Sequence, residues 1–369
     1  MCNRLQFFYP GRSPTFTSLY KTRMLSKILA AFNVDPPYEM EPFGPGLINH
    51  TWKVNARQKE YILQRINHHV FQKPQSISDN IRLIGNYLSV HHPEYLFTLP
   101  VKTVSGDDLF YDEQEGYFRL FPFIKGSHTI DVVRSAEQAH AAAVEFGTFT
   151  GLLDSFPVNA LKTTIPDFHN LSLRYSNFQK ALSDGIEQRI IHASEEIKFI
   201  RSQDHIVKQY KDITQNPQFK TRVTHHDTKI SNVLFDDKGT GLCVIDLDTV
   251  MPGYFISDVG DMMRTYLCPV SEEETDLQKI GIREDFYKAI VNGYREQMND
   301  KLTDAEKHHF MYAGQFMIYM QALRFLTDYL YGDIYYGSKY PGHNLERSKN
   351  QLVLFKKLTE LKHLDKVIS

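Results

Sequence analysis

The sequence predicts an α+β chain in two lobes, a smaller mixed N-terminal lobe followed by a larger, mostly helical one. Three observations carry that expectation. From about Met24 to Phe123, short runs rich in β-branched and aromatic residues alternate with Gly/Pro turns around one long helical pattern. After Gly126 the texture changes to long amphipathic stretches that open on capping-box spacings. The length, 369 residues, is enough for two separately cored units.

The elements follow in order. An amphipathic helix starts at Met24 with "MLSKILAAFNV". A Gly/Pro turn and a strand come next in "EPFGPGLINHTWKVNA", then a short strand in "KEYILQRIN". In "FQKPQSISDNIRLIGNYLSVHH", Ile77, Ile81, Ile84 and Leu88 fall at helical spacing. "YFRLFPFIKG" closes the first lobe as a strand ended by Pro and Gly. In the second lobe, Ser135 with Gln138, Ser271 with Glu274 and Thr303 with Glu306 each mark the start of a helix. The stretch from Leu171 to Tyr210 is helical in pattern throughout. The domain limits read from these shifts are an N-terminal extension over 1–23, a first lobe over 24–124 and a second over 125–369.

Composition excludes several classes of function. Hydrophobic residues make up 42%, charged residues 23%, and the formal net charge is −2, so no long-range field points to nucleic acid or a membrane surface. The three cysteines, Cys2, Cys243 and Cys268, have no CxxC spacing and build neither a disulfide framework nor a thiolate metal site. No run reaches the roughly 18 apolar residues of a membrane span. The start, with scattered Arg, Lys and Pro, lacks the apolar core of a signal peptide. A cytoplasmic location and a monomer are expected.

Chemistry concentrates in Thr224 to Asp248, "THHDTKISNVLFDDKGTGLCVIDLD". Two short strands joined by a turn at Asp237 to Gly241 would gather Asp227, Asn232 and Asp246 at one edge. The spacing His225-x-Asp227-x-Lys229-x-x-Asn232, followed by Ile245-Asp246, supplies what phosphoryl transfer from a nucleotide needs. Asp227 takes the acceptor's proton, Lys229 offsets charge on the γ-phosphate, and Asn232 and Asp246 hold Mg²⁺ through hard oxygen atoms. A polar hairpin with turn-capping aspartates is the bland alternative, but it does not require all four residues to coincide. A His/Asp metal hydrolase is disfavoured because adjacent His225 and His226, if on a strand, face opposite ways; His225 instead braces the loop. Asp248 is either a second magnesium contact or a surface turn residue. Asp258 is read first as a helix N-cap, and alternatively as an acceptor for the loop's backbone N–H groups.

On these motifs the chain resembles the aminoglycoside phosphotransferase and choline kinase superfamily, from about Pro37 to the C-terminus. Within it, "VTHHDTKISNVLFD", "VIDLDTVMPGYFISDVGDMMR", "YILQRINHHVFQKP" and "RFLTDYLYGDIYY…YPGHNLERSKNQ" look most like the N-acetylhexosamine 1-kinases. The resemblance implies a bilobal protein-kinase-like fold with an antiparallel sheet in the first lobe. It also implies an ATP-dependent kinase that phosphorylates the anomeric hydroxyl of N-acetylglucosamine or N-acetylgalactosamine. Asp227 would be the base, Lys229 the γ-phosphate contact, and Asn232 and Asp246 the magnesium ligands. "FGPGLINHTWKV" would cover ATP, with Gly44 and Gly46 letting backbone approach the phosphates and Asn49 and Thr51 stabilising the turn. Where the wider pattern has a strand lysine, this chain has Gln64 and Arg65, only one of which can face the nucleotide; Arg65 with Asp79 is a candidate substitute ion pair. The resemblance points to Arg324 and Tyr335 as sugar contacts, with Tyr336 beside them. The bland reading of Arg324 is an i,i+4 pair with Asp328. Alternatives of the same fold are an amino-alcohol or aminoglycoside kinase, or a regulatory pseudokinase.

Overall fold

A computed structural model of the chain describes residues 24–44 and 48–361; the expected extension over 1–23, and Gly46, lie outside them. The chain divides into two compact units. One runs to Val90 and resumes over Phe97–Lys125, and the other takes His91–Leu96 and everything from Gly126.

In the first unit a helix over residues 24–31 (α1) precedes the strands β1 (Tyr38–Pro42), β2 (His50–Ala56) and β3 (Lys59–Ile66). Helix α2 (Pro74–His91) and the strands β4 (Phe110–Asp112) and β5 (Gly116–Pro122) follow. The five strands form one sheet in the order β1-β2-β3-β5-β4, antiparallel at every pairing. Strand alternation splits its side chains. Val54, Leu63, Phe118 and Leu120 pack with Leu25, Ile28 and Leu29 of α1 into a core. Thr51, Gln64 and Arg119 lie side by side in register across β2, β3 and β5 on the opposite face.

The second unit is mostly helical. Its long helices are α3 (Ala136–Leu152), α4 (Leu171–Asp184), α8 (Phe255–Tyr266), α9 (Glu284–Met298), α11 (Phe310–Leu330) and α12 (His343–Glu360). Shorter ones are α5 (Glu187–His192), α6 (Ser194–Ser202), α7 (His205–Gln215) and α10 (Asp304–Lys307). Glycines allow the closest helix contacts: a Cβ on Gly293 of α9 would lie 2.6 Å from the His140 carbonyl of α3, and one on Gly260 of α8 would lie 2.4 Å from the Ala313 carbonyl of α11. The Leu171–Tyr210 pattern is broken into four helices, the first ending at Gly185.

Two helix starts differ from expectation. Ser271 and Glu274 begin no helix; α9 starts at Glu284. The Ser271 hydroxyl accepts from the Glu273 backbone, while the Glu274 carboxylate turns to the Asp276 N–H and to Lys279, so the box never closes. Thr303 and Glu306 do form a complete capping box, but on the single turn α10, and the long helix restarts at Phe310. Glu306 is fully buried because it also receives the Arg222 guanidinium, at 3.1 Å for one of its two contacts.

Candidate active site

The Thr224–Asp248 stretch folds as strand, loop, hairpin and turn. Strand β6 (Arg222–Thr224) pairs with β9 (Met251–Gly253), and β7 (Val233–Phe235) pairs with β8 (Gly241–Val244). His225 to Asn232 lies between them as a loop, so the expected strand over the histidines is absent. Its backbone N–H groups therefore need other acceptors. Two carboxylates on the first turns of α8 provide them. Asp258 accepts from His225 N at 3.0 Å and from His226 N at 2.7 Å, and Asp261 accepts from Thr228 N at 2.9 Å. Tyr266, on the same helix, donates its hydroxyl to the Thr228 carbonyl at 2.7 Å. The N-cap position of α8 is Tyr254, so the first reading of Asp258 as an N-cap is corrected to the loop-holding one.

This grip lets the loop hold a left-handed backbone at His226 (φ 67°), which turns the two histidines apart. His225 is buried edge-on to Phe146 with Nε2 at 2.9 Å from the Ile245 carbonyl. His226 packs edge-on to His169, Nδ1 to Nδ1 at 3.4 Å. Burial lowers the pKa of His225, and takes that of His226 down to about 4, so both are neutral near pH 7.

Asp227 and Lys229 form an ion pair at 2.9 Å, with the Asp227 side chain 23% and the Lys229 side chain 50% exposed. The Asn232 amide donates to the Asp227 carbonyl at 2.8 Å and to its carboxylate at 3.1 Å. Burial pushes the Asp227 carboxyl up, but the charge and hydrogen bond of Lys229 outweigh it, and the net shift is downward. Lys229 is raised: burial opposes its charge, and the Asp227 and Asp261 carboxylates more than offset that. Both groups are ionised at neutral pH.

Asp246 stands exposed in a left-handed conformation (φ 58°) at the head of the turn Leu247–Thr249. Its neighbour Ile245 donates its N–H to the Asn232 carbonyl at 2.9 Å, which continues the β7–β8 register and brings Asp246 next to Asn232. Because the Asn232 amide nitrogen is committed to Asp227, its oxygen points the other way. Among the described residues no cluster of three or more His, Cys, Asp or Glu side chains is arranged to hold a metal. Asp248 is buried at 1% exposure, which rules out a surface turn residue.

Arg324 is not paired with Asp328 as the bland reading had it. The Asp328 carboxylate accepts the N–H groups of Tyr335 (2.7 Å) and Tyr336 (2.9 Å) and the Asn344 amide. Arg324 instead reaches Gln321 (3.3 Å) and the Tyr335 hydroxyl (3.5 Å), over the rings of both tyrosines. Arg324, Asp328, Tyr335 and Tyr336, with Arg174, Asn177, Lys180, Thr327 and Tyr331, line a cavity of about 370 Å³. Arg174 anchors on the Asp167 and Phe168 carbonyls at 3.0 and 3.3 Å. A chain of charges links cavity and loop: Asp261 to Arg264, Arg264 to Glu272 at 3.1 Å, Glu272 to Arg347, and Arg347 over the Tyr336 ring. Sequence reasoning missed His169, Arg174, Asp261 and Arg264. Of these, only the cluster of acids and a cation in "SDVGDMMR" gave a signal.

In the first unit, Gln64 accepts from Arg119 Nε at 2.9 Å, and its amide faces the Thr51 hydroxyl at 3.4 Å. Arg65 points to the other face and pairs with Glu115 at 2.9 Å, not with Asp79, whose carboxylate takes Gln75 at 2.9 Å. Gly44 has φ 73°, and the Asn49 side chain accepts from Asn67 N at 3.0 Å, tying the turn to the end of β3.

A family model described as the phosphotransferase enzyme family (APH) matches residues 39–294, which takes in both β1–β5 and the catalytic-type loop. The chain belongs to this family. Solved structures agree on the fold. The chain is similar to an amicoumacin kinase in complex with AMP-PNP, Ca²⁺ and amicoumacin (TM-score 0.63, 13% identity, 95% of this chain and 100% of that one). It is also similar to a microcompartment-associated aminopropanol kinase (0.64, 14%, 93% and 98%) and to a choline kinase from Cryptosporidium parvum (0.57, 12%, 94% and 97%). The mixed α/β architecture, with its antiparallel N-terminal sheet and helical remainder, is that of these kinases, and family membership makes this chain a small-molecule phosphotransferase. No helix among the described residues is long and apolar enough to cross a membrane.

Proposed function

We propose that the protein is an ATP-dependent sugar kinase that transfers the γ-phosphoryl group to the anomeric hydroxyl of an N-acetylhexosamine, releasing the sugar 1-phosphate. The observation that carries the chemistry is the Asp227 carboxylate, kept ionised and oriented by Lys229 at 2.9 Å and Asn232 at 3.1 Å. Asp227 positions the acceptor hydroxyl and takes its proton as the oxygen–phosphorus bond forms. An anomeric hydroxyl is more acidic than an ordinary alcohol, which suits so weak a base. Lys229, half exposed and cationic, offsets charge on the transferring group.

The donor set fits a hard divalent cation: the Asn232 amide oxygen turned away from Asp227 and the adjacent, exposed Asp246 carboxylate leave room for waters and phosphate oxygens. When bound, Mg²⁺ would neutralise charge on the nucleotide's phosphates. Gly44, Asn49, Thr51 and Gln64 are the proposed nucleotide contacts of the first unit. Buried Arg119, bonded to Gln64, supplies the cation that β3 lacks.

The acceptor reading rests on the cavity around Arg324 and Tyr335. It is lined by three cations, Arg174, Lys180 and Arg324, against one carboxylate, Asp328, which two backbone N–H groups already occupy. That balance disfavours a cationic amino alcohol or aminoglycoside and suits a neutral, oxygen-rich ligand. The Tyr335 ring, 72% exposed, offers a flat face to a pyranose. An ATP-consumption screen of free hexoses, N-acetylhexosamines, choline and aminoglycosides tests this. Turnover confined to reducing sugars is expected, and turnover confined to cationic acceptors would overturn the assignment.

A further inference from the structure

The uncharged groups of the cavity are enough to read a sugar's hydroxyls. The Asn177 amide and the Tyr335 and Tyr336 hydroxyls both donate and accept, and the Thr327 hydroxyl, whose proton goes to the Leu323 carbonyl at 2.7 Å, accepts. What these groups leave unmatched is charge. We infer that the acceptor for which this cavity is shaped carries an anionic oxygen group, a carboxylate, sulfate ester or phosphate ester on the hexosamine, bound by Arg174 and Arg324. The inference rests on the acceptor reading above and narrows it to acidic hexosamines.

The imbalance is visible residue by residue. Arg174 comes from α4 and Arg324 from α11, so two guanidinium groups enter one space of about 370 Å³ from separate helices. Among the described residues, neither has a carboxylate within ion-pair distance. Arg174 commits one Nη to the Asp167 and Phe168 carbonyls at 3.0 and 3.3 Å, and its buried Nε has no hydrogen-bond partner among the described residues. Arg324 meets neutral oxygens, Gln321 at 3.3 Å and the Tyr335 hydroxyl at 3.5 Å, both long for a charged donor. Lys180 adds a third cation, 3.8 Å from Asp184 in an exposed pair. Three cations against the single carboxylate of Asp328 leave the wall with a formal charge of 3 − 1 = +2. Asp328 itself is turned to the Tyr335 and Tyr336 N–H groups and the Asn344 amide, so neither guanidinium receives its oxygens.

A neutral ligand offers these guanidinium groups dipoles but no counter-charge. Burial, and then the charge of Arg324, lower the pKa of Arg174, as expected of two cations that repel each other with part of their hydration removed. An anion relieves both effects, and a carboxylate, sulfate or phosphate presents two or three oxygens at the spacing that a guanidinium fork matches. The exposed ring of Tyr335 lines the same space. Pyranose and anion are therefore read together, with the anion as a substituent of the acceptor.

Steady-state kinetics at low ionic strength, with saturating ATP and Mg²⁺, compare N-acetylglucosamine with its O3- and O6-sulfates, its O6-phosphate and its O3-carboxyalkyl ether. At least one acidic derivative is expected to exceed the parent sugar in kcat/KM by about tenfold or more, chiefly through a lower KM, and the one that does so names the group. In Arg174→Gln that advantage should shrink to less than about threefold, and Arg174→Lys, which keeps the charge without the fork, should fall between. Equal or poorer turnover of every acidic derivative overturns the inference, as does an advantage that Arg174→Gln leaves intact. Calorimetric titration of the AMP-PNP-loaded protein with sodium sulfate decides independently of turnover. Saturable binding is expected that sodium chloride at matched ionic strength does not reproduce and that Arg174→Gln and Arg324→Gln each weaken; no saturable binding, or binding indifferent to both substitutions, would refute the anion site. Wild-type protein inert toward every sugar, neutral or acidic, would instead refute the acceptor reading, and the sulfate titration would still judge the cation-lined site.

Discussion

At the scale of single residues, the site depends on carboxylates in contrasting surroundings. Asp227 is pulled below the ordinary range by Lys229, whereas burial, helped by the nearby Asp261 and Asp227 charges, pushes Asp258 up to about 7 despite two backbone donors. Replacing Asp227 with Asn should lower turnover about a hundred- to ten-thousand-fold while nucleotide binding and thermal stability stay near wild type, because only the proton acceptor is lost. For Asp258 the sign runs the other way. A folded-state pKa above the unfolded value means that the native protein binds the extra proton, so this group's stabilisation is complete below about pH 4 and declines as pH rises through 7. The slope of melting temperature against pH over that window should flatten in Asp258→Asn, and an unchanged slope would show that Asp258 does not titrate there. Asp227, Lys229 and Asn232 were legible in the sequence because they share one six-residue loop, so their geometry is local. Arg65 was not, because its partner, Glu115, comes from the β4–β5 turn about fifty residues on, and a nearer acid, Asp79, drew the expectation. Arg174 gave no signal either, since its meaning arises only where α4 and α11 meet around the cavity.

At the scale of elements, α8 is the part that makes the loop possible, and it is held in turn by close packing on α11. The α3–α9 contact is equally tight. A Cβ on Gly293 would meet the His140 carbonyl at 2.6 Å, so Gly293→Ala should destabilise the protein by about 1–3 kcal/mol in urea unfolding. The Arg222–Glu306 pair fixes β6, the strand that launches the loop, with side chains 3% and 0% exposed. Glu306→Gln leaves that guanidinium with only the looser Asp154 carboxylate, 3.5 Å away, and should cost about 2–4 kcal/mol, read from the same unfolding curves, with the acceptor KM unaltered. Strand and helix patterns in the first lobe could be read from periodicity alone. The second lobe was harder. Ser271 and Glu274 match a capping box letter for letter, yet neighbouring carboxylates Glu272 and Glu273 are drawn to Arg264, Arg347, His343 and Lys339, and these long-range pairs keep the segment irregular. Local spacing proposes a helix start, and tertiary charge can overrule it.

At the scale of the whole molecule, a weakly charged chain of 369 residues forms two units with distinct work: a five-stranded sheet that carries the proposed nucleotide contacts, and a helical unit that carries the Asp227 loop and the cation-lined cavity. The α+β class was legible because pattern and capping signals change together near Gly126. The acceptor was not, because the cavity is assembled from α4, α11 and the tyrosines after it, segments about 150 residues apart. The central claim is transfer to an anomeric hydroxyl, and blocking that one oxygen tests it most directly. ATP consumption should proceed with N-acetylglucosamine or N-acetylgalactosamine and vanish with the corresponding methyl glycoside, which retains every other group; equal turnover of the free sugar and its methyl glycoside would contradict the account.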